Sequence, residues 1–252
     1  MNALSSPPAT PIWADSDVNK ALARLADTAA SRRAQTIAGA IHRGTLEEKL
    51  VSAFVGARLA ATGSNRTLTG VAGHSDEDYF AIIPAHLLKA DSQASLDDLG
   101  AALRERFPRT AIRVDRPCVR VPFDDGTETI EITPVAHMGY TLLGFPQFLI
   151  PDGTGGWEPS APESHNAYVH DIDIAFGGDV RRLIVLAKIW KYERNVAIRS
   201  FFIEITCALH ACSLYARGVR RIDLAADLRA WLDIQKRCAL DRSQVSPRRP
   251  DD

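Results

Sequence analysis

The stretch that decides the fold is SDEDYFAII, residues 75–83, which follows Thr-Gly-Ser at residues 62–64. The run after Asp78 is apolar and rich in strand formers, and it stops at Pro84, so it predicts a buried strand. Asp76 and Asp78 stand two residues apart at the head of this strand. Their side chains therefore point to one face, with Cα atoms roughly 6.6 Å apart. Two carboxylates placed in this way can bridge divalent cations.

A second predicted strand supplies the next candidate. Residues 128–133 read Glu-Thr-Ile-Glu-Ile-Thr and follow an Asp-Asp-Gly hairpin signal at 124–126. The alternation places Ile130 and Ile132 on one side of the strand and Glu131 on the other. If this strand lies beside the first, Glu131 completes a set of three carboxylates on one sheet face. A two-metal site for phosphoryl transfer requires such a set.

Gly63 and Ser64 fit the same chemistry. They follow a predicted helix and precede a turn, where backbone N–H groups and a small hydroxyl can approach phosphate oxygens closely. The alternative is a helix that ends at a glycine and is followed by an exposed acidic loop. The combination of Gly-Ser with Asp-x-Asp, in this order and between a helix and a strand, favours the functional interpretation.

The remaining elements are predicted from hydrophobic spacing and end signals. A helical composition covers residues 15–42, Gly44 interrupts it, and residues 45–48 have the capping-box pattern that opens a helix reaching Arg58. The other predicted elements are a turn-rich stretch at 62–74, helices at 96–107, 180–193, 199–217 and 222–239, strands at 111–115 and 118–123, and a loop at 144–178.

The composition is that of a globular protein. The 252 residues are 46% hydrophobic and 24% charged, which excludes disorder, collagen-like repeats and coiled coil as descriptions of the whole. Thirty Lys and Arg against 31 Asp and Glu give a formal net charge of −1, so no nucleic-acid activator is indicated. The four cysteines lack metal-ligand spacing and predict free thiols. No segment approaches the roughly 18 apolar residues of a membrane span, so we expect a cytoplasmic protein without a membrane partner.

The succession of helix, Gly-Ser, Asp-x-Asp on a strand and a third carboxylate resembles the DNA polymerase β-like nucleotidyltransferases. Later segments narrow the resemblance to the bacterial CD-NTases, cyclic-oligonucleotide synthases related to cyclic GMP-AMP synthase and oligoadenylate synthase. These segments are IPDG at 150–153, GW at 156–157, PESH at 162–165, RLIVLAKIWK at 182–191 and IRSFFIE at 198–204. The resemblance covers about residues 40–215.

The resemblance implies an α/β fold of the α+β kind. A polymerase β-like nucleotidyltransferase core would be built around a mixed sheet and followed by a helical C-terminal lobe. The corresponding divisions are a flexible leader at 1–12, the core at 13–150, the helical lobe at 151–242 and a polar tail at 243–252.

The resemblance also implies roles for individual residues. The catalytic carboxylates, which would hold two Mg²⁺ ions or alternatively Mn²⁺, are Asp76, Asp78 and Glu131. The residues implied to bind the donor triphosphate are Gly63, Ser64, Lys188 and Ser200. Lys188 and Lys191 are three residues apart and are predicted to share one helix face, away from the apolar side that includes Leu183. The alternative for these lysines is a solvated helix face without a ligand.

Two positions depart from the pattern of the family. Glu131 stands where the third carboxylate is usually Asp, and Glu, which is one methylene longer, can still ligate a hard cation. Residues 67–69, Thr-Leu-Thr, replace the Arg-Gly-Thr that usually follows Gly-Ser, which predicts a differently shaped phosphate loop. The chain is also shorter than the family at its carboxy end.

The implied activity is the Mg²⁺-dependent joining of nucleoside triphosphates, ATP, GTP or others, into a cyclic or linear oligonucleotide second messenger. The product would act on a separate effector in bacterial anti-phage signalling. Two alternatives stay open. One is an enzyme of the same superfamily that modifies tRNA or protein, as some toxins do, and the other is a nucleotide-binding module without activity.

Overall fold

A computed structural model describes residues 16–30, 37–123 and 128–244. The helices are α1 (Asp17–Ala29), α2 (Ile37–Ala53), α3 (Gly63–Thr67), α4 (Ser92–Arg106), α5 (Pro162–Ala175), α6 (Asp179–Glu193), α7 (Ser200–Ala216) and α8 (Leu224–Gln244). The strands are β1 (Arg58–Ala61), β2 (Glu77–Ile82), β3 (Arg113–Asp115), β4 (Cys118–Phe123), β5 (Glu128–Tyr140), β6 (Pro146–Pro151) and β7 (Trp157–Ser160). The predicted leader, the hairpin signal at 124–126 and the tail from residue 245 lie outside the described residues.

The chain forms two compact units. The sheet unit comprises residues 30–170, and the helical unit comprises α1 together with the chain from Asp171 onward. In the sheet unit β7 pairs with β6, and in the helical unit α1 packs against α6 and α8. The predicted boundary between the core and the helical lobe, after residue 150, stays a prediction. The packing of the chain divides it after residues 29 and 170.

The sheet is mixed, as predicted. Its strand order is β1-β2-β5-β4-β3, with β6 and β7 continuing from β5, and β2 and β5 run parallel while the other pairs are antiparallel. The fold class and the mixed sheet are therefore confirmed. The predicted strands at 78–83, 111–115, 118–123 and 128–133 all lie within or next to observed ones.

One face of the sheet carries the hydrophobic core of the sheet unit. The side chains buried there come from α2, α4 and alternate positions of the central strands, and they include Leu46, Leu50, Leu99, Tyr79, Val121, Ile130 and Ile132. Because strand side chains alternate, the intervening residues point to the opposite face. Asp78, Arg120 and Glu131 stand on this opposite face and are half-buried. We call it the carboxylate face.

The prediction that Gly44 interrupts a helix was wrong. Helix α2 continues through this glycine from Ile37 to Ala53. Thr45 lies inside the helix and its hydroxyl donates to the carbonyl of Ile41 at 3.0 Å, so it opens no new helix. The helix ends before Gly56, which has a φ of 86°, and Arg58 then begins β1 instead of extending the helical face.

The prediction of a loop at 144–178 was also wrong. This segment holds β6, β7 and the whole of α5. Its glycines and prolines, which suggested a loop, are placed where ordered structure tolerates them. Gly153 and Gly155 take positive φ in the turn between the strands. Pro159 lies in β7, which pairs on one side with β6, and edge strands accept proline.

The helical unit is built on buried faces of four helices. Leu183 and Ile184 of α6 are buried, and Trp231 of α8 is fully buried with its indole N–H donating to Thr206 of α7 at 2.9 Å. The predicted helices at 180–193, 199–217 and 222–239 are confirmed to within a few residues. Among helices in the described ranges, none has the length and apolarity needed to cross a bilayer.

Candidate active site

Strand pairing brings the predicted carboxylates together. The parallel pairing of β2 and β5 sets Asp78 directly opposite Glu131, and the antiparallel pairing of β4 and β5 sets Arg120 opposite Glu131 on its other side. Arg113 of β3 lies opposite Arg120 and ends the row. The three central side chains therefore form a line across the carboxylate face. Asp76 precedes β2 and joins this line through Arg120.

Arg120 is a further residue of this site, and the sequence did not predict it. Its Nη2 lies 2.9 Å from Oδ2 of Asp76, its Nε lies 3.3 Å from Oε1 of Glu131, and its Nη1 lies 3.6 Å from Oδ2 of Asp115. The sequence does contain a signal. Arginine between two valines in an alternating strand must point away from the core that the valines enter. What the sequence could not supply is the pairing that puts this arginine beside Glu131.

The pKa of Glu131 is shifted by its burial and by the neighbouring carboxylates. Burial and the charges of Asp76 and Asp78 raise the pKa of Glu131 to about 7, although the guanidinium of Arg120 lowers it. The carboxylate face therefore carries more negative charge than Arg120 offsets. Oxygen ligands with unbalanced charge are what hard divalent cations bind. Within the described ranges no three Asp, Glu, His or Cys side chains enclose a common point, and Asp76 and Glu131 both contact Arg120 instead.

Gly63 is fixed by its contact with Asp78. Its φ is 57°, and a Cβ atom at this position would collide with the Asp78 carboxylate. The backbone N–H of Thr62 also donates to the carbonyl of Asp78 at 2.9 Å, which ties the start of α3 to β2. Gly63 is thus placed beside the carboxylate face, and the half-buried Ser64 follows it. The sequence pattern predicted this neighbourhood but not its steric cause.

Lys188 lies elsewhere than predicted. It is fully buried, as are Leu183, Ile184 and Ala187 on the same helix, and its Nζ lies 2.6 Å from Oε1 of the buried Glu204. The prediction that Lys188 lies on a helix face away from the apolar side was therefore wrong, because its ammonium group is buried and paired with a carboxylate.

The neighbouring lysine has the position that the prediction gave to Lys188. Lys191, one turn later on α6, donates from its Nζ to the hydroxyl of Ser200 at 3.1 Å and lies 4.8 Å from the centre of the Tyr192 ring. Both side chains of this hydrogen bond are half-buried. Ser200 stands at the first turn of α7. The helical unit thus offers an ammonium and a hydroxyl group side by side.

A cavity of about 330 Å³ lies in the sheet unit along β2. Phe80 and Ile82 line it, and they share the strand face of Asp78 because they follow it at steps of two. Phe148 packs edge-on against Phe80, and the centres of the two rings are 5.4 Å apart. The polar side chains among the lining residues are Arg58, Thr62, His137, Tyr140, Glu163 and Asn166. The cavity was not predicted from the sequence, because two of its walls come from the segment predicted to be a loop.

Solved structures share this fold. The CD-NTase CdnG of Bradyrhizobium diazoefficiens, in complex with GTP, is 16% identical, with a TM-score of 0.68 over 91% of this chain and 78% of that chain. The CdnE cyclic dinucleotide synthase of Elizabethkingia meningoseptica, with GTP and Apcpp, is 17% identical, with a TM-score of 0.67 over 83% of this chain and 81% of that one. The resemblance to the CD-NTases is confirmed, and the chain has their fold.

Sequence comparison gives a shorter match. A probable cyclic nucleotide synthase of Bacillus cereus (strain VD146) is 30% identical over 74 residues, which are 29% of this chain and 22% of that protein. The aligned part thus spans about a fifth of that relative. No family model matches the chain.

Proposed function

We propose that the protein is a nucleotidyltransferase that joins nucleoside triphosphates into a cyclic or linear oligonucleotide. The observation that carries this proposal is the carboxylate face, where Asp78 lies opposite Glu131 and Asp76 contacts the same arginine as Glu131. The CD-NTase fold supports it, since the similar protein of Elizabethkingia meningoseptica is a cyclic dinucleotide synthase.

Asp76, Asp78 and Glu131 would hold two Mg²⁺ ions, and Mn²⁺ suits the same oxygen ligands. When bound, these ions would lower the pKa of the attacking ribose hydroxyl and neutralise charge on the leaving pyrophosphate. The donor chemistry fits, because burial and the neighbouring charges of Asp76 and Asp78 raise the pKa of Glu131, and a bound cation would relieve both effects. Arg120 offsets part of this repulsion.

Other groups of the sheet unit would bind and orient the nucleotides. Gly63 and Ser64 would offer backbone N–H groups and a hydroxyl to the triphosphate next to Asp78, because the glycine lies directly against the Asp78 carboxylate. The cavity along β2 would take a nucleobase, with Phe80 and Phe148 as apolar walls and the polar lining groups, such as Asn166, as hydrogen-bonding partners of its edge.

In the helical unit, the proposed phosphate contacts are Ser200 and Lys191. A compact ammonium group beside a hydroxyl is suited to a phosphate oxygen. Lys188, implied by the family resemblance, is replaced in this role by Lys191, because Lys188 is buried with Glu204.

The proposed biological role follows from the same resemblance. The oligonucleotide would act as a second messenger on a separate effector in bacterial defence against phages. Its substrates would be ATP, GTP or other nucleoside triphosphates, and GTP is present in both of the similar structures described above.

The experiment that tests this function is a product assay. The protein is incubated with all four α-labelled nucleoside triphosphates and Mg²⁺ or Mn²⁺, treated with phosphatase, and the products are separated. We expect a small phosphatase-resistant nucleotide that Asp78→Asn abolishes and that Asp98→Asn, an exposed change on α4, leaves unchanged. Omission of one nucleotide at a time then identifies the bases.

The two alternatives give different outcomes in the same assay. Label that moves to added tRNA or protein, instead of to a small product, would favour a macromolecule-modifying enzyme. Binding of triphosphate without release of pyrophosphate would favour a nucleotide-binding module. Either result would overturn the synthase proposal.

A further inference from the structure

Arg120 occupies the carboxylate oxygens that a divalent cation would need. Its guanidinium contacts Asp76 at 2.9 Å and Glu131 at 3.3 Å, so two of the three proposed ligands already share one positive charge. The contact is built into the fold, because strand pairing sets Arg120 directly beside Glu131. The planar guanidinium presents several N–H donors at once, which allows it to serve two carboxylates.

A third carboxylate anchors the arginine from the outer side. Asp115 of β3 lies 3.6 Å from Nη1 of Arg120 and is largely exposed, whereas Asp76 and Glu131 are half-buried. The arginine therefore spans from the proposed metal ligands to a surface acid. Because its own side chain is half-exposed, solvent screens these interactions in part, and the guanidinium can exchange one carboxylate partner for another at modest cost.

We infer that Arg120 is the resident counter-cation of the carboxylate face, and that divalent cations bind Asp76 and Glu131 in competition with it. The inference rests on the proposed function in taking these carboxylates as cation ligands. Arg120 then limits cation affinity in the absence of nucleotide. It also offsets part of the repulsion between the carboxylates when no cation is bound.

Two other roles for Arg120 predict different behaviour. A purely structural arginine would hold the carboxylates in place for the cation, so its removal would weaken cation binding. An arginine that contacts only the nucleotide would leave cation binding in the nucleotide-free protein unchanged. The sign of the change in cation affinity therefore separates the three roles.

The test is a titration of the nucleotide-free full chain with Mn²⁺, followed by electron paramagnetic resonance of the free ion. We expect Arg120→Gln to bind Mn²⁺ about three- to fivefold more tightly, the size of one half-exposed ion pair. Arg120→Lys, which keeps a positive charge, is expected to lie closer to the wild type. Arg113→Gln is the matched control, since it removes the same charge from the next strand and is expected to change the affinity by less than about twofold.

Thermal unfolding gives the second measurement. Without divalent ions, Arg120→Gln is expected to unfold at a lower temperature than the wild type, and saturating Mn²⁺ is expected to close most of this gap. A gap that stays the same with Mn²⁺ would mean that Arg120 only supports the fold, and would overturn the inference. Unchanged or weaker Mn²⁺ binding by a folded Arg120→Gln would overturn it as well.

The outcomes also separate the inference from the proposed function. Wild-type protein that binds Mn²⁺, together with an Arg120→Gln variant of equal affinity, leaves the function standing and removes the inference. Wild-type protein that binds no Mn²⁺ counts against the proposed function. The inference then stands only if Arg120→Gln gains binding, and it is overturned if that variant also binds none.

Discussion

Two sets of ion pairs in this molecule differ in their exposure to solvent. In the helical unit, Nζ of Lys188 and Oε1 of Glu204 lie 2.6 Å apart, and both side chains are buried. In the sheet unit, Arg120 contacts Asp76 and Glu131 on a half-exposed face, where burial and neighbouring carboxylates raise the pKa of Glu131 to about 7. The buried ion pair joins α6 to α7 and stabilises the fold. Crowded carboxylates that remain accessible are groups that a cation can still join.

The largest effect should come from breaking the buried pair. Lys188→Met would leave Glu204 buried without its cation, and we expect a loss of about 3–5 kcal/mol in the free energy of unfolding. Urea denaturation followed by circular dichroism measures this loss. The control is the double variant Lys188→Met with Glu204→Leu, which removes both charges and is expected to recover most of the stability. If Lys188→Met alone is as stable as the wild type, the ion pair does not stabilise the fold.

A smaller effect on stability, with a large one on activity, is expected at Gly63. Gly63→Ala introduces a Cβ at a φ of 57° and against the Asp78 carboxylate, so it should cost about 1–2 kcal/mol in unfolding free energy. Displacement of Asp78 should reduce nucleotide transfer at least about tenfold, since misplacing a reacting group costs far more in rate than in stability.

Gly44 provides the matched control for this substitution. It lies inside α2, where an added Cβ meets open space. Gly44→Ala should therefore raise the unfolding free energy by about 0.5–1 kcal/mol and leave the transfer rate unchanged. Equal activity of Gly63→Ala and the wild type would contradict the tight fit between Gly63 and Asp78.

The smallest effect is expected at the exposed end of the arginine network. Asp115→Asn removes the contact at 3.6 Å from Arg120, on a largely exposed side chain. Such ion pairs contribute little, so the unfolding free energy should change by less than about 0.5 kcal/mol. Urea denaturation of Asp115→Asn and Lys188→Met, side by side, would compare the loss of unfolding free energy for the exposed and the buried ion pair. A loss of several kcal/mol in Asp115→Asn would contradict the expected difference.

In the sheet unit, the strands could be predicted from the sequence, but their pairing could not. An apolar run that stops at Pro84 identified β2, and alternation with a period of two identified β5, because both patterns are local. The period of two within each strand also gave the faces of Asp78 and Glu131. The parallel register that sets these residues opposite each other is a pairing between strands about fifty residues apart, and no local pattern encodes it. Arg120 was missed for this reason, since its importance comes from the strand beside it.

In the helical unit, the burial of a lysine could not be predicted from the sequence. Lys188 and Lys191 look alike in sequence, and charged residues on a helix are usually exposed. Lys188 is buried because Glu204, sixteen residues further on, supplies a buried partner from the next helix. The prediction of a loop at 144–178 rested on glycine and proline as turn signals, yet an edge strand and a short turn accommodate both residues.

The measurement that tests the central claim most directly is pyrophosphate release by Asp76→Asn, Asp78→Asn and Glu131→Gln, compared with the wild type at fixed Mg²⁺ and nucleoside triphosphates. If the carboxylate face is the catalytic centre, each of the three variants loses activity while its unfolding free energy stays equal to or above that of the wild type. Wild-type turnover in any of the three, or a loss of activity that only accompanies unfolding, would contradict the account.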